Sequence, residues 1–191
     1  MSVVVVGMAD MRVSADPDAS LATYALGSCI GLAIHDPVAR VAGLLHFMLP
    51  DSGLDREKAR LQPFMFADTG IAALVRSAVE AGAVKRRLVV RAAGGAQVMD
   101  PNGVFNIGKW NSLAMRKILW KEGLLLAAEE VGGSESRSVR LEVGSGKFWV
   151  RPAGAGEREI TARPAAASPG PATPVWARKE EADGVCSVDR R

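Results

Sequence analysis

Two hydrophobic patterns alternate along this chain. Short apolar runs rich in Val, Ile and Leu, separated by Gly, Pro and Asp, predict strands over residues 3–6, 21–26, 30–35, 40–49, 88–92, 124–130, 138–143 and 147–150, with 11–13 extending or pairing with the first. Between them lie two stretches of helical periodicity. In the first, over 64–81, Ile71, Leu74, Val75, Ala78 and Val79 recur at helical spacing, with Pro63 at the start and Gly82 at the stop. The second, over 109–122, carries Trp110, Leu113, Ile118 and Leu119 and closes at Gly123. The polar stretch DSGLDREKAR at 51–60 lacks periodicity and reads as a loop, most often a mere connector. The fold class is therefore α+β, with roughly seven strands and two long helices.

One stretch concentrates the chemistry. Residues 23–50 read as a single hairpin that holds both histidines and one of two cysteines. Asp36-Pro37 is a turn signal, because the proline ring fixes φ and Asp is favoured just before it. If 36–39 are the four turn residues, His35 pairs with Arg40, Ile34 with Val41, Ile30 with Leu45 and Cys29 with His46. Opposed residues share a face, with Cβ atoms roughly 4.5–5.5 Å apart, which brings thiol and imidazole within reach. A one-residue slip sends Cys29 to the other face.

Composition narrows the reading. A chain of 191 residues that is 48% hydrophobic buries one core, which fits a single domain over 1–151. Half of the ten prolines fall after residue 151, so 152–191 reads as a disordered Pro/Ala-rich tail. Trp176 and Cys186 in that tail read as a stray linker tryptophan and an ordinary free thiol. The net charge of +3 is small and scattered, which argues against nucleic acid. Two Cys and two His, with Cys186 remote, argue against a metal site. No run approaches a membrane span and the N-terminal apolar run lacks a basic flank, so the expected location is cytoplasmic, without membrane insertion. Gly94-Gly95-Ala96 lacks the spacing of a dinucleotide or phosphate loop and reads as a tight turn or close backbone approach.

A cysteine in an apolar strand region is usually a small core residue, and a histidine in LLHFML is usually a hydrogen-bonded one. Opposed to each other they suggest more. A thiol paired with an imidazole loses its proton well below about 8.5, giving a thiolate at neutral pH. The glycine before it allows a turn that exposes successive N–H groups near the thiol. The imidazole then needs a partner for its other nitrogen. Thr23 is a candidate, although a strand threonine is ordinarily just a strand former and spacing does not single it out.

The runs T-Y-A-L-G-S-C-I, H-D-P and G-L-L-H-F-M-L-P resemble the signature of the CheD family of chemoreceptor glutamine deamidases. The resemblance continues through F-A-D-T-G, A-G-G-A-Q-V-M, N-I-G-K-W-N and A-E-E-V-G-G and covers about residues 8–151, leaving out the first strand and the tail. It implies a Cys-His-Thr triad: Cys29 the nucleophile, His46 the general base and acid, and Thr23 the residue that holds the imidazole. It implies a layered α/β fold similar to the catalytic domain of glutamine-deamidating toxins. The implied reaction converts receptor glutamine to glutamate through a Cys29 thioester with release of ammonia, and extends to receptor methyl esters. No cofactor is needed. The implied partners are the cytoplasmic domain of methyl-accepting chemotaxis receptors and a CheC-type phosphatase.

Three rivals stand beside this. Another Cys-His enzyme, such as a papain-like peptidase or a transglutaminase, shares the acyl-enzyme chemistry; a transglutaminase gives cross-linked product as well as ammonia. A non-catalytic adaptor that binds receptor or a CheC-type phosphatase keeps its cellular role in Cys29→Ala. A structural protein keeps Cys29 inert to alkylation.

Overall fold

The computed structural model describes residues 2–98 and 106–161. In chain order the strands are β1 (Ser2–Val5), β2 (Asp10–Ser14), β3 (Ala19–Leu26), β4 (Ile30–Asp36), β5 (Val41–Phe47), β6 (Val89–Gly94), β7 (Leu126–Val131), β8 (Arg137–Glu142), β9 (Phe148–Pro152) and β10 (Arg158–Glu159). The helices are α1 (Arg56–Leu61), α2 (Ala67–Glu80) and α3 (Ile107–Lys121). One sheet has the order β1-β3-β8-β9-β10, the other β2-β5-β4-β6-β7. The class is α+β as expected, with ten strands among the described residues rather than about seven.

The molecule is three layers deep. β4 and β5 are buried along their whole length, so alternate residues serve two different cores. Ile30, Leu32, Ile34, Leu45 and Phe47 pack with Ile71 and Leu74 of α2 and Met115 and Leu119 of α3. The opposite face sends Ala33, Ala42 and Leu44 into the seam between the sheets, against Leu21, Leu26, Val139, Leu141 and Phe148. That seam carries the polar residues discussed below.

Several expectations are revised. The β4–β5 hairpin forms, but Gly31 lies opposite His46 and Asp36 opposite Val41, a two-residue shift from the expected ladder. Asp36 stays paired and closes the loop with its own carboxylate, accepting from the Val38 and Ala39 N–H groups at 2.9 and 3.2 Å. The four loop residues become 37–40, and the last of them, Arg40, takes a left-handed conformation, φ 52°. A shift of two keeps the parity, so Cys29 still belongs to the seam face.

The stretch 51–60 is a 3₁₀ turn (Ser52–Leu54) followed by α1, whose N-cap Asp55 accepts from Lys58 N at 2.9 Å. In α3 the buried face is Gly108, Asn111, Ser112, Met115 and Leu119, whereas Trp110 and Leu113 face solvent. The reading from bulky residues rotated that helix. β10 pairs with β9, so strand structure continues past residue 151. The rest of the expected tail, 162–191, with Trp176 and Cys186, lies outside the described residues. No described helix is long and apolar enough to cross a membrane.

Candidate active site

Thr23 reaches His46 across the seam. β3 breaks its register between Thr23 and Leu26, with Ala25 at φ 55°. The bulge lets Thr23 and Leu26 both point inward while Tyr24 turns to solvent. Thr23 Oγ1 and His46 Nδ1 share a hydrogen bond of 2.8 Å, and each residue is only 1% exposed. Gly31 lies opposite His46, and a Cβ there would run into Leu26 and crowd Val139.

Cys29 sits in the bend just before β4 and packs, partly buried, against the same inter-sheet core. Among the described residues His46 Nε2 is buried and makes no hydrogen bond, so thiol and imidazole share a layer without being bonded. The structure thus joins Thr23 and His46 directly and packs Cys29 against the core of the same inter-sheet layer. His35, the other histidine, is elsewhere in the seam and bonds through Nε2 to the Val143 carbonyl at 3.0 Å.

Burial sets the protonation states. It pushes the Cys29 thiol up, against a smaller opposing pull from its own backbone N–H. It pushes the His46 imidazole down to about 4. The resting pair is therefore a neutral thiol and a neutral imidazole, not the thiolate expected at neutral pH. With its proton on Nδ1, held toward Thr23, His46 presents a bare Nε2 lone pair able to take a proton.

The bend that carries Cys29 is pinned from behind. Gly27 O accepts from Ala96 N at 2.7 Å and Cys29 O from Gly95 N at 2.8 Å. These bonds need the backbones to touch: Gly94 has φ 115°, and a Cβ there would lie 2.3 Å from Cys29 O. Gly94-Gly95 is thus the close approach expected of it. Ser28 O and Met48 O both accept from Asn111 Nδ2, at 2.9 and 2.8 Å. Asn111 is fully buried and was missed in the sequence; the signal was a polar residue at helical spacing with Gly108, Met115 and Leu119. No cluster of three or more His, Cys, Asp or Glu able to hold a metal occurs among the described residues.

A family model described as CheD chemotactic sensory transduction matches residues 48–152. A relative named probable chemoreceptor glutamine deamidase CheD, from Solibacter usitatus (strain Ellin6076), is 59% identical over 151 residues, 79% of this chain and 89% of the relative. The chain belongs to the CheD family. A second member, named probable chemoreceptor glutamine deamidase CheD 1, from Syntrophus aciditrophicus (strain SB), is 46% identical over 84% of this chain and 100% of its own length. The protein named chemoreceptor glutamine deamidase CheD from Thermotoga maritima is 39% identical over 81% of this chain and 94% of its own. Within this CheD chain the family model begins at Met48, so the Cys29–His46 hairpin lies N-terminal to the matched segment.

Proposed function

We propose that this protein deamidates glutamine side chains of methyl-accepting chemotaxis receptors to glutamate, with Cys29 as nucleophile, His46 as base and acid, and Thr23 as the residue that orients His46. The observation that carries the reading is the buried 2.8 Å hydrogen bond between Thr23 and His46, made across two sheets in the layer that also holds Cys29. Bonded through Nδ1, His46 has Nε2 without a hydrogen bond among the described residues, as a base requires. Membership of the family, and the names its members bear, supply the substrate class.

The steps follow from the protonation states. As Cys29 Sγ attacks the carboxamide carbon, its proton passes to His46 Nε2 and the carbonyl π electrons move onto oxygen. Backbone N–H groups at Ser28 and Cys29 stabilise that oxyanion. Collapse breaks the C–N bond, and His46 returns the proton so that ammonia leaves, giving a thioester. Water then attacks, deprotonated by His46, and releases glutamate and the thiol. A methyl ester enters the same path and loses methanol instead. Side chains and water suffice. The substrate segment is the cytoplasmic helical bundle of the receptor, so the reaction is cytoplasmic, and a CheC-type phosphatase is a second partner. The three-layer plan is further read as that of glutamine-deamidating toxin domains.

The test is peptide mass spectrometry of a receptor cytoplasmic fragment incubated with the protein and with Cys29→Ala. A gain of about one dalton per modified glutamine, absent with the variant, is expected for a thioester route. Binding without any mass change across several receptors would instead indicate a non-catalytic adaptor.

A further inference from the structure

Three successive carbonyls, of Gly27, Ser28 and Cys29, are held by donors on the helix side of the bend. The outer two are held by backbone N–H groups. The middle one, Ser28 O, is held by the side chain of Asn111, which at the same time holds Met48 O two residues beyond His46. Both partners are carbonyl oxygens, so the NH₂ of Asn111 must face them, whichever way the amide is drawn. Its Oδ1 is left buried without a partner. An unsatisfied buried acceptor is costly, so a residue serving packing alone is better replaced by an apolar one.

Peptide geometry links this clamp to the chemistry. The Ser28 C=O and the Cys29 N–H belong to one planar trans peptide unit and point in opposite directions. Fixing the carbonyl toward α3 therefore fixes the Cys29 N–H away from α3.

We propose that Asn111 is a positioning residue that locks the Ser28–Cys29 peptide so that the Cys29 N–H faces the reacting oxygen, while tying that peptide to the strand carrying His46. The proposal deepens the deamidase reading and rests on it. Asn111 touches no substrate atom; it acts through the peptide. An ionised Asp at 111 repels both carbonyls, and only its protonated form regains a donor.

Full-length Asn111→Ala and Asn111→Asp are assayed on a receptor cytoplasmic fragment, with thermal unfolding measured alongside. In Asn111→Ala kcat falls about 100-fold with KM within about threefold, as for loss of an oriented oxyanion donor. The kcat of Asn111→Asp, divided by that of wild type at each pH, rises as pH falls from 8 to 5. A kcat within threefold of wild type, a loss carried by KM, or a flat ratio overturns the proposal. So does failure of both variants to unfold cooperatively, which would make Asn111 a core residue. Alkylation of Cys29 by iodoacetamide needs no receptor: Asn111→Ala should slow it about tenfold through a smaller thiolate fraction. Wild type that alkylates but never deamidates rejects the deamidase reading alone, and an alkylation rate within twofold of wild type rejects the positioning role alone.

Discussion

At the scale of single residues, the Thr23–His46 bond and the burial around it make two predictions. Thr23→Val keeps the shape but leaves buried Nδ1 without a partner. The expected cost is about 1–3 kcal/mol of stability, with kcat down at least about tenfold through lost orientation of the base. Thr23→Ser, which retains the hydroxyl, should recover most of both, by thermal melts and ammonia release. The second prediction concerns pH. Burial lowers His46 to about 4 in the folded chain from an ordinary 6.5. The unfolded chain thus takes up the proton first as pH falls. The stability tied to a neutral His46 is complete above about 6.5, declines between 6.5 and 4, and is constant below. At about 1.4 kcal/mol per pKa unit the loss is on the order of 3–4 kcal/mol. His46→Asn removes the titrating group and can still bond Thr23. The wild-type minus variant difference in denaturant unfolding should therefore shrink across that window. A difference independent of pH would mean that His46 is not depressed. The shared face of Cys29 and His46 was legible because the hairpin parity survives a two-residue shift. Thr23 was legible only through the family signature, because the bulge that aims it leaves no mark in a strand-forming run.

Secondary-structure elements meet where glycine permits it, and this is where sequence patterning was least informative. α3 approaches the Gly94-Gly95 turn so closely that a Cβ at Gly108 would lie 2.3 Å from Gly95 O and 2.5 Å from its carbonyl carbon. Backbone atoms cannot step aside as a side-chain tip does. Gly108→Ala must push α3 off the turn, moving Asn111 and the Cys29 bend together. The expectation is a loss of about 1–3 kcal/mol in stability and a larger fractional loss of activity. An alanine variant with wild-type kcat and melting temperature would show that this contact does not position the bend. The strands of the central sheet were readable because burial on both faces demands continuous apolar sequence. The facing of α3 was not, because three of the five residues it buries are Gly108, Asn111 and Ser112, while Trp110 is 53% exposed. Bulk was a misleading guide to burial. The hairpin register failed for a related reason: the Asp36 carboxylate closes the loop from inside the ladder. That carboxylate also accepts from Arg87 and from Val84 N at 2.7 Å, anchoring the end of β4 to the segment after α2. The Arg87 contact is the largest influence holding its carboxyl well below the usual carboxylate range.

Across the whole molecule, the site sits at one end of the inter-sheet seam, where β4 begins and β5 and β6 end. Among the described residues the elements that surround it are β3 with its bulge, the Cys29 bend, β5, the Gly94-Gly95 turn and α3. Among the described residues the seam core extends as far as Ile160, which packs against it. The Syntrophus aciditrophicus relative is matched over its full length by 84% of this chain. The sequence after Thr161 is rich in Pro and Ala and offers little apolar periodicity with which to join either core. A chain truncated after Thr161 is accordingly expected to melt within about 2 °C of the full-length protein, a shift worth less than about 1 kcal/mol. Its kcat for release of ammonia from an isolated receptor fragment should be unchanged within twofold. A drop in melting temperature of more than about 5 °C would mean that the tail contributes to the fold. An unchanged melt with a raised KM would place its role in recognising the receptor.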